Sequence, residues 1–198
     1  MQDDLDRRTL LAAPALLAFG AATAACAQPN STERRASSKT LVAYFTRSAN
    51  TRVIAETLQR LLSADIFEIQ PARPYPADYE QTVEQAQQER DRGYEPPLAA
   101  RVPDIRTYDT VFLGFPIWGE TAPPVIRSFL KAHDLSGKTL RPFITHGGYG
   151  VGGSRAVVQD HGNGARVEAP FVMEADQERR TLNQVREWLQ TLGQAADS

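Results

Sequence analysis

Three apolar runs with β-strand character each lead directly into a short polar or glycine-rich loop. LVAYF precedes TRSANT (46–51), VFLGF precedes PIWGE (116–120), and RPFIT precedes HGGYGVGG (146–153). In a parallel α/β sheet the carboxyl ends of the strands lie at one edge, which is where ligands bind. The three loops are therefore predicted to form one shared site.

From residue 39 onward, strand patterns alternate with helix patterns, as is typical of a doubly wound sheet. Five strands are predicted, at residues 40–45, 65–70, 110–115, 140–145 and 166–172. The helices between them have apolar faces, formed by Ile54, Leu58, Leu61 and Leu62 in the first, Val125, Ile126, Phe129 and Leu130 in the third, and Leu182, Val185, Leu189 and Leu192 in the last. These faces are predicted to be core.

Turn and capping signals set the predicted helix ends. Residues 78–92 form a polar helix candidate, opened by Asp78 with Gln81 three residues later and closed by Gly93. The segments on either side of it are rich in proline, so this connection is expected to be long and to run over the surface. Pro123 and Pro124 are expected to start the third helix, and Gly193 to end the last.

The N-terminus has the pattern of an export signal. Arg7 and Arg8 precede a largely apolar stretch of sixteen residues, 10–25, which is shorter than the roughly 20 residues of a spanning helix. The arginine pair resembles the twin-arginine signal of bacteria, with Asp6 where Ser or Thr is usual. Residues 1–27 are therefore predicted to be a signal peptide, and the mature protein is expected in the periplasm or exported.

The remaining boundaries follow from composition. Residues 28–38 are predicted to be a flexible leader, 39–193 the folded domain and 194–198 a tail. Cys26 is the only cysteine, which excludes a disulfide within the chain. It lies in a box that also resembles a lipoprotein processing site, so a lipid anchor at Cys26 is the alternative to its removal with the signal.

Charge and residue types exclude several classes of function. Without the signal, the chain has 20 basic and 21 acidic residues, so neither nucleic acid nor an anionic membrane surface is indicated. Three histidines without ligand spacing give no support for a metal site. The sequence contains neither the G-x-S-x-G motif of serine hydrolases nor the G-x-x-x-x-G-K-[ST] motif of a nucleoside-triphosphate P-loop.

The first loop has the chemistry of a phosphate site. Its hydroxyl and amide side chains come at the start of a helix, where unpaired backbone N–H groups and the helix dipole favour an anion, by about 0.3–1 kcal/mol from the dipole alone. Thr46, Ser48, Asn50 and Thr51 are the candidate donors, and Arg47 either adds charge or faces solvent. The alternative is that Ser48 or Asn50 only caps the helix.

The other two loops offer aromatic rings and close backbone approach. Trp118 ends a buried strand, where it can stack on a planar cofactor or pack into the core. The third loop has five glycines in eight residues and a second ring at Tyr149. Its glycines also match a dinucleotide fingerprint, although it follows the fourth predicted strand instead of the first. His146 is a candidate for tuning or protonating a bound cofactor, or is merely hydrogen-bonded at the strand end. His133 and His161 are predicted to be on the surface.

Taken in order, these motifs resemble the flavodoxin family over about 155 residues, 39–193. The resemblance lies in T-x-S-x-N-T, in Y-D-x-V-F-L-G-F-P-I-W at 108–118, in A-P-P-V at 122–125, in S-G-K-T at 136–139 and in T-H-G-G at 145–148. It implies a flavodoxin-like three-layer α/β/α sandwich, a five-stranded parallel sheet in the order 2-1-3-4-5, and noncovalent FMN.

The resemblance also implies a set of site residues. The phosphate would be held by Thr46, Arg47, Ser48, Ala49, Asn50 and Thr51, the flavin ring by Pro116, Ile117, Trp118 and Gly119, and its far edge by His146, Gly147, Gly148, Tyr149 and Gly150. Ala49 stands where many members have glycine. The near-neutral charge also differs from the acidic surface of many flavodoxins.

These observations favour an exported FMN protein that passes electrons through the flavin to a partner protein or a small acceptor. Glu120 is the nearest candidate charge for tuning the flavin. The second interpretation is an FMN-dependent NAD(P)H:quinone-type oxidoreductase, which would use the same loops. The third is a flavodoxin-fold binding module without cofactor.

Overall fold

The computed structural model of the protein describes residues 39–174 and 178–196. The predicted signal peptide, leader and Cys26 lie outside these residues. The described strands are β1 (Thr40–Tyr44), β2 (Asp65–Glu68), β3 (Thr110–Pro116), β4 (Thr139–His146), β5 (Arg166–Val167) and β6 (Phe171–Glu174). The helices are α1 (Asn50–Leu62), α2 (Tyr79–Asp91), α3 (Pro124–Ala132), α4 (Ser154–His161) and α5 (Glu178–Ala196), with a 3₁₀ turn at Ile105–Thr107.

The strands form one parallel sheet in the order β2-β1-β3-β4-β5, and β6 also pairs with β4. This is the predicted order 2-1-3-4-5. In the register, Leu41 lies beside Val111 of β3, and Val111 lies beside Leu140 of β4. Because all neighbours are parallel, the carboxyl ends of β1, β3 and β4 lie side by side.

Residues on the two faces of the sheet belong to separate apolar clusters, as the period of two in a strand requires. Leu41 and Val111 belong to the cluster that includes the α3 stripe, all of it fully buried, and Val158 of α4. Val42 and Phe112 belong to the cluster that includes Ile54 of α1 and Val185 of α5. Helices therefore cover both faces and give the predicted three layers.

The connection between β2 and β3 is long, and its two ends are tied together. The Ala72 N–H donates to the Pro97 carbonyl (2.7 Å), and the Ala99 N–H donates to the Gln70 carbonyl (2.8 Å), around an antiparallel bridge. Inside this closed excursion lies α2, whose start is capped as predicted because the Asp78 carboxylate accepts from the Gln81 N–H at 2.9 Å.

Five sequence predictions of local structure need correction. Leu61 and Leu62 were predicted to be core but are 45% and 36% exposed, because the buried face of α1 ends at Leu58, before the last turn. The fifth strand is two short segments, β5 and β6, because the chain leaves the ladder before Pro170, which has no N–H to donate. Helix α4 was not predicted, since its eight residues bury only Ser154 and Val158. Helix α5 continues through Gly193 to Ala196, because one glycine weakens a helix by about 1 kcal/mol without having to end it.

The fifth correction concerns His133, which is buried and not on the surface. Its Nδ1 bonds to the Phe129 carbonyl (2.8 Å), and its Nε2 accepts from the Val102 N–H at 3.0 Å. Burial lowers the pKa of His133, because the charged imidazolium would lose hydration there. These two bonds describe a neutral histidine that links α3 to the segment before the 3₁₀ turn.

Candidate functional site

The three predicted loops meet at one edge of the sheet, where they border a cavity of about 370 Å³. This volume lies within the range of small-molecule sites, roughly 300–1,000 Å³. The cavity is lined by Arg47, Ser48, Asn50, Pro116, Ile117, Trp118, Gly119, Thr145, His146 and Gly147 from the sheet edge, and by Tyr79, Thr82, Val83, Ala86, Gln87 and Arg90 from α2.

The first loop leaves the start of α1 open. Ala49 precedes the helix in a left-handed conformation (φ 67°, ψ −5°), and no side chain caps the helix. The alternative in which Ser48 or Asn50 only caps α1 is therefore not supported. The N–H groups of the first turn have no partner within the helix and can bind an anion, beside the Ser48 and Asn50 side chains that line the cavity.

Arg47 and Thr51 have different surroundings within this loop. The Arg47 guanidinium donates to the Ala77 carbonyl at 2.9 Å and lies 5.5 Å from the Tyr79 ring. Arg47 therefore links the first loop to the start of α2. Thr51 is 1% exposed, and its hydroxyl shares a hydrogen bond of 2.9 Å with that of Thr145. This bond ties α1 to the end of β4 beneath the cavity.

Trp118 in the second loop is both a packed residue and a cavity wall. Its ring meets Phe45 edge to face at 5.2 Å and Tyr75 edge to face at 4.9 Å. It is only half-buried and lines the cavity. The two interpretations of Trp118, core packing and cofactor stacking, are thus compatible, because the neighbouring rings hold the indole at the rim.

Tyr75 connects this aromatic group to α2. Its hydroxyl donates to the Glu89 carboxylate at 2.8 Å, and Glu89 also accepts from Gln85 at 2.9 Å. Burial, followed by the bond to Glu89, raises the pKa of Tyr75 well above its usual range. Tyr75 is therefore a neutral donor, and it fixes α2 relative to the Trp118 ring.

The third loop is organised by His146. Its Nδ1 accepts from the N–H groups of Gly148 (3.0 Å) and Gly150 (3.4 Å), which assigns the neutral tautomer with the proton on Nε2. The loop is also fastened to the second loop, since the Gly153 N–H donates to the Glu120 carbonyl at 2.8 Å. A Cβ on Gly152 would overlap that same carbonyl oxygen. The second and third loops are therefore in close contact.

Several predicted site residues do not line the cavity. Tyr149 is 91% exposed, and Ala49, Thr51, Gly148 and Gly150 also lie outside the lining. Thr46 lines a second cavity of about 550 Å³, which shares Arg47 and Trp118 with the first. Glu120, the candidate tuning charge, lines neither of these two cavities.

Helix α2 supplies six lining residues, none of which was predicted to be at the site. Their spacing, Tyr79, Thr82 and Val83, Ala86 and Gln87, then Arg90, is that of one helix face. This face mixes aromatic, hydroxyl, small and charged side chains, so it did not stand out as an apolar stripe. The periodicity was nevertheless present in the sequence.

Within the described part of the chain, no group of His, Cys, Asp and Glu side chains could hold a metal ion, and no helix has the length and apolarity needed to cross a bilayer. The residues present fit a planar ligand with a phosphate tail. The start of α1 has no side-chain cap, the Trp118 ring is fixed by contact with Phe45, and a Cβ added to Gly147 would meet no atom within 4 Å.

Comparison with known proteins gives the same picture. The sequence model of the flavodoxin family matches residues 39–192. A protein from Bacteroides eggerthii assigned as a flavoprotein is 32% identical, with a TM-score of 0.68, over 79% of this chain and 98% of its own. A similar assigned flavoprotein from Bacteroides uniformis is 27% identical, with a TM-score of 0.67, over 75% of this chain and 98% of its own.

A flavoprotein from Lactobacillus acidophilus, solved in complex with FMN, shares the fold at 20% identity. Its TM-score is 0.60, over 74% of this chain and 99% of its own. No curated protein matches the sequence.

Proposed function

The chain belongs to the flavodoxin family, and on that premise we propose that it binds FMN noncovalently in the cavity at the sheet edge and transfers electrons through it. The observation that carries the proposal is the uncapped start of α1, which opens beside a cavity walled by an aromatic ring. An anion site and a planar site next to each other match the two ends of FMN.

The residues divide the work of binding between them. The first-turn N–H groups of α1, with Ser48 and Asn50, would hold the phosphate, and Arg47 would add positive charge at that end. Trp118 would face the flavin ring, with Pro116, Ile117 and Gly119 in the same loop. His146 and Gly147 would border the far edge, with the Nε2 proton of His146 as a donor.

When bound, FMN supplies the redox chemistry, and the protein supplies position and electrostatic environment. Trp118 and Val83, which line the cavity, would keep water from one side of a bound ring. Helix α2 is held in place by the Tyr75–Glu89 bond and by Arg47 at its start. The site would thus hold a flavin in one orientation.

The export signal belongs to the same proposal. Twin-arginine export carries folded proteins, so FMN loaded before export would remain bound. The mature protein would then act in the periplasm or outside the cell, with a partner protein or a small molecule accepting its electrons. Mass spectrometry of the mature N-terminus tests this. Export predicts a chain that has lost residues 1–27 or one that begins at a lipidated Cys26, so a chain that keeps its first 25 residues contradicts export.

The absorption spectrum of the purified protein tests the cofactor. We expect bound flavin, or uptake of added FMN with quenched fluorescence. Riboflavin, which lacks the phosphate, should bind more weakly than FMN, and Ser48→Ala should reduce this difference while leaving riboflavin affinity unchanged. A colourless protein that takes up neither compound contradicts the proposal.

The second candidate is an FMN-dependent reductase acting on a quinone or similar small acceptor. It is favoured by the second cavity, which adjoins the first through the shared walls Arg47 and Trp118 and offers room for a second small molecule. Steady oxidation of NAD(P)H that depends on added quinone would support it. The absence of turnover in an FMN-loaded protein that still exchanges electrons with an electrode would favour the carrier.

A cofactor-free binding module is the third possibility. The open helix start and the space around Gly147 argue against it, because a module without cofactor has no reason to keep a phosphate site and a ring site side by side.

A further inference from the structure

The charged side chains that line the first cavity are both arginines. Arg47 lies at the first loop and Arg90 at the last turn of α2, and none of the lining residues in the described part of the chain is acidic. The chain as a whole is slightly acidic, at −2, so the cavity lining differs in sign from the net charge of the chain. A cavity of this kind favours whichever form of its ligand carries more negative charge.

The two arginines are at different ends of the cavity. Arg47 is engaged by the Ala77 carbonyl and the Tyr79 ring, beside the loop proposed for the phosphate. The Arg90 Nη1 donates to the Gly119 carbonyl at 3.4 Å, in the loop proposed for the flavin ring. A Cβ on Gly119 would overlap this guanidinium, so the absence of a side chain there allows the approach. Arg90 is therefore the cation at the ring end.

Other charges near Arg90 compensate it only weakly. The Asp91 carboxylate is 3.7 Å from Nε, but its side chain is 61% exposed and outside the cavity lining, so solvent screens it. The Arg90 side chain is 32% exposed and is screened less. Glu120 follows Gly119 in the second loop, but it is exposed and does not line the cavity, so Arg90 is the charged side chain that lines this wall.

We propose that Arg90 tunes the bound flavin by favouring its fully reduced, anionic form, so that the site takes electrons more readily than it would without this charge. This inference rests on the proposed binding of FMN. Two-electron reduction with uptake of one proton leaves one negative charge on the ring, and an arginine beside the ring lowers the free energy of that state relative to the oxidised one. A dye or a nicotinamide is a sufficient source of the electrons.

The test measures the reduction potential of the FMN-loaded full-length protein by dye-coupled titration, together with FMN affinity. Arg90→Gln should weaken binding of reduced relative to oxidised FMN about tenfold, which lowers the two-electron potential by about 30 mV. Arg90→Lys keeps the charge and should stay close to wild type. Arg92→Gln removes the same charge from the residue that follows α2, outside this cavity, and should leave the potential unchanged.

Four other results would overturn the inference. Equal potentials in Arg90→Gln and Arg92→Gln overturn the inference, as does a fall in Arg90→Lys as large as that in Arg90→Gln, since charge would then not be the cause. Loss of oxidised FMN in Arg90→Gln also overturns it, because the residue would then support both redox forms equally. A wild-type protein that binds no FMN refutes the proposed function itself, and the inference with it.

Discussion

The replacement Trp118→Ala separates the two roles of this ring, packing and cofactor contact. In the free protein it removes edge-to-face contacts with Phe45 and Tyr75, each worth about 0.5–1.5 kcal/mol. We therefore expect the free energy of unfolding to fall by about 1–3 kcal/mol. A domain with about 5–15 kcal/mol of stability remains folded after such a loss.

The effect on FMN should add to this loss. Removing a stacking partner costs about 0.5–1.5 kcal/mol of binding, which corresponds to a Kd about 2- to 13-fold higher. Flavin fluorescence in the bound state should rise, because the indole no longer quenches it. Trp118→Phe keeps a ring at the position and should fall between the alanine variant and wild type in both measurements.

The matched control is Phe45→Leu. Phe45 belongs to the same aromatic group but does not line the first cavity, so this variant should lose a similar amount of stability with little change in Kd. Urea unfolding gives the stabilities, and fluorescence titration with FMN gives the affinities. If Trp118→Ala leaves Kd and quenching at the wild-type values, the ring does not contact the flavin. If Phe45→Leu weakens binding as much as Trp118→Ala does, the aromatic group acts on binding as one packed unit and the separate role of the Trp118 ring is refuted.

Three further predictions concern the loops and the core. Ala49→Gly should stabilise the protein by up to about 1.6 kcal/mol in thermal unfolding. An alanine at φ 67° is strained by about 1–2 kcal/mol, and glycine recovers this strain minus about 0.4–1 kcal/mol for the added freedom of the unfolded chain. Ser63→Gly, at φ 50°, should stabilise by a comparable amount, and a loss of stability in either variant would contradict the strain argument. Because the pKa of His133 is lowered, the unfolded chain binds the extra proton first as pH falls, so the free energy of unfolding should decrease from pH 8 to pH 5. His133→Gln should flatten that dependence, and an unchanged slope in urea unfolding would assign it to other groups. Gly152→Ala should lower the free energy of unfolding by at least about 2 kcal/mol and weaken FMN binding, because its Cβ would meet a backbone carbonyl and its φ is 49°. A Cβ on Gly153 would be 3.8 Å from its nearest neighbour, so Gly153→Ala should leave urea unfolding and FMN titration unchanged.

The sheet was predictable because its strands are buried on both faces. Such strands are short continuous apolar runs, and in β1 and β3 these runs end close to the predicted boundaries. The order of the strands came from the family resemblance and agrees with the structure. The split of the last strand was missed, because the effect of Pro170 depends on which neighbour the segment pairs with.

Much of the cavity wall at the sheet edge was also predictable, because loops after parallel strands share an edge whatever their side chains. The contribution of α2 was not predicted. A polar helix gives no apolar period to follow, and its position over the loops is set by contacts distant in sequence, such as Tyr75 to Glu89 and Arg47 to Ala77. His133 was misplaced for a similar reason, since its burial depends on an N–H thirty-one residues away.

The antiparallel bridge between Pro71 and Leu98 closes the excursion that contains α2 at its base. The chain leaves the sheet layer at Pro71 and returns beside it at Leu98, so replacing the residues between them should leave the order and register of the strands unchanged. The segment between the paired ends can therefore be exchanged as one piece, and the phosphate turn lies outside it. Exchanging residues 72–97 between related proteins should therefore transfer selectivity and potential, provided that the exchanged segment keeps a carbonyl and an aromatic ring where Ala77 and Tyr79 contact Arg47 of the phosphate turn.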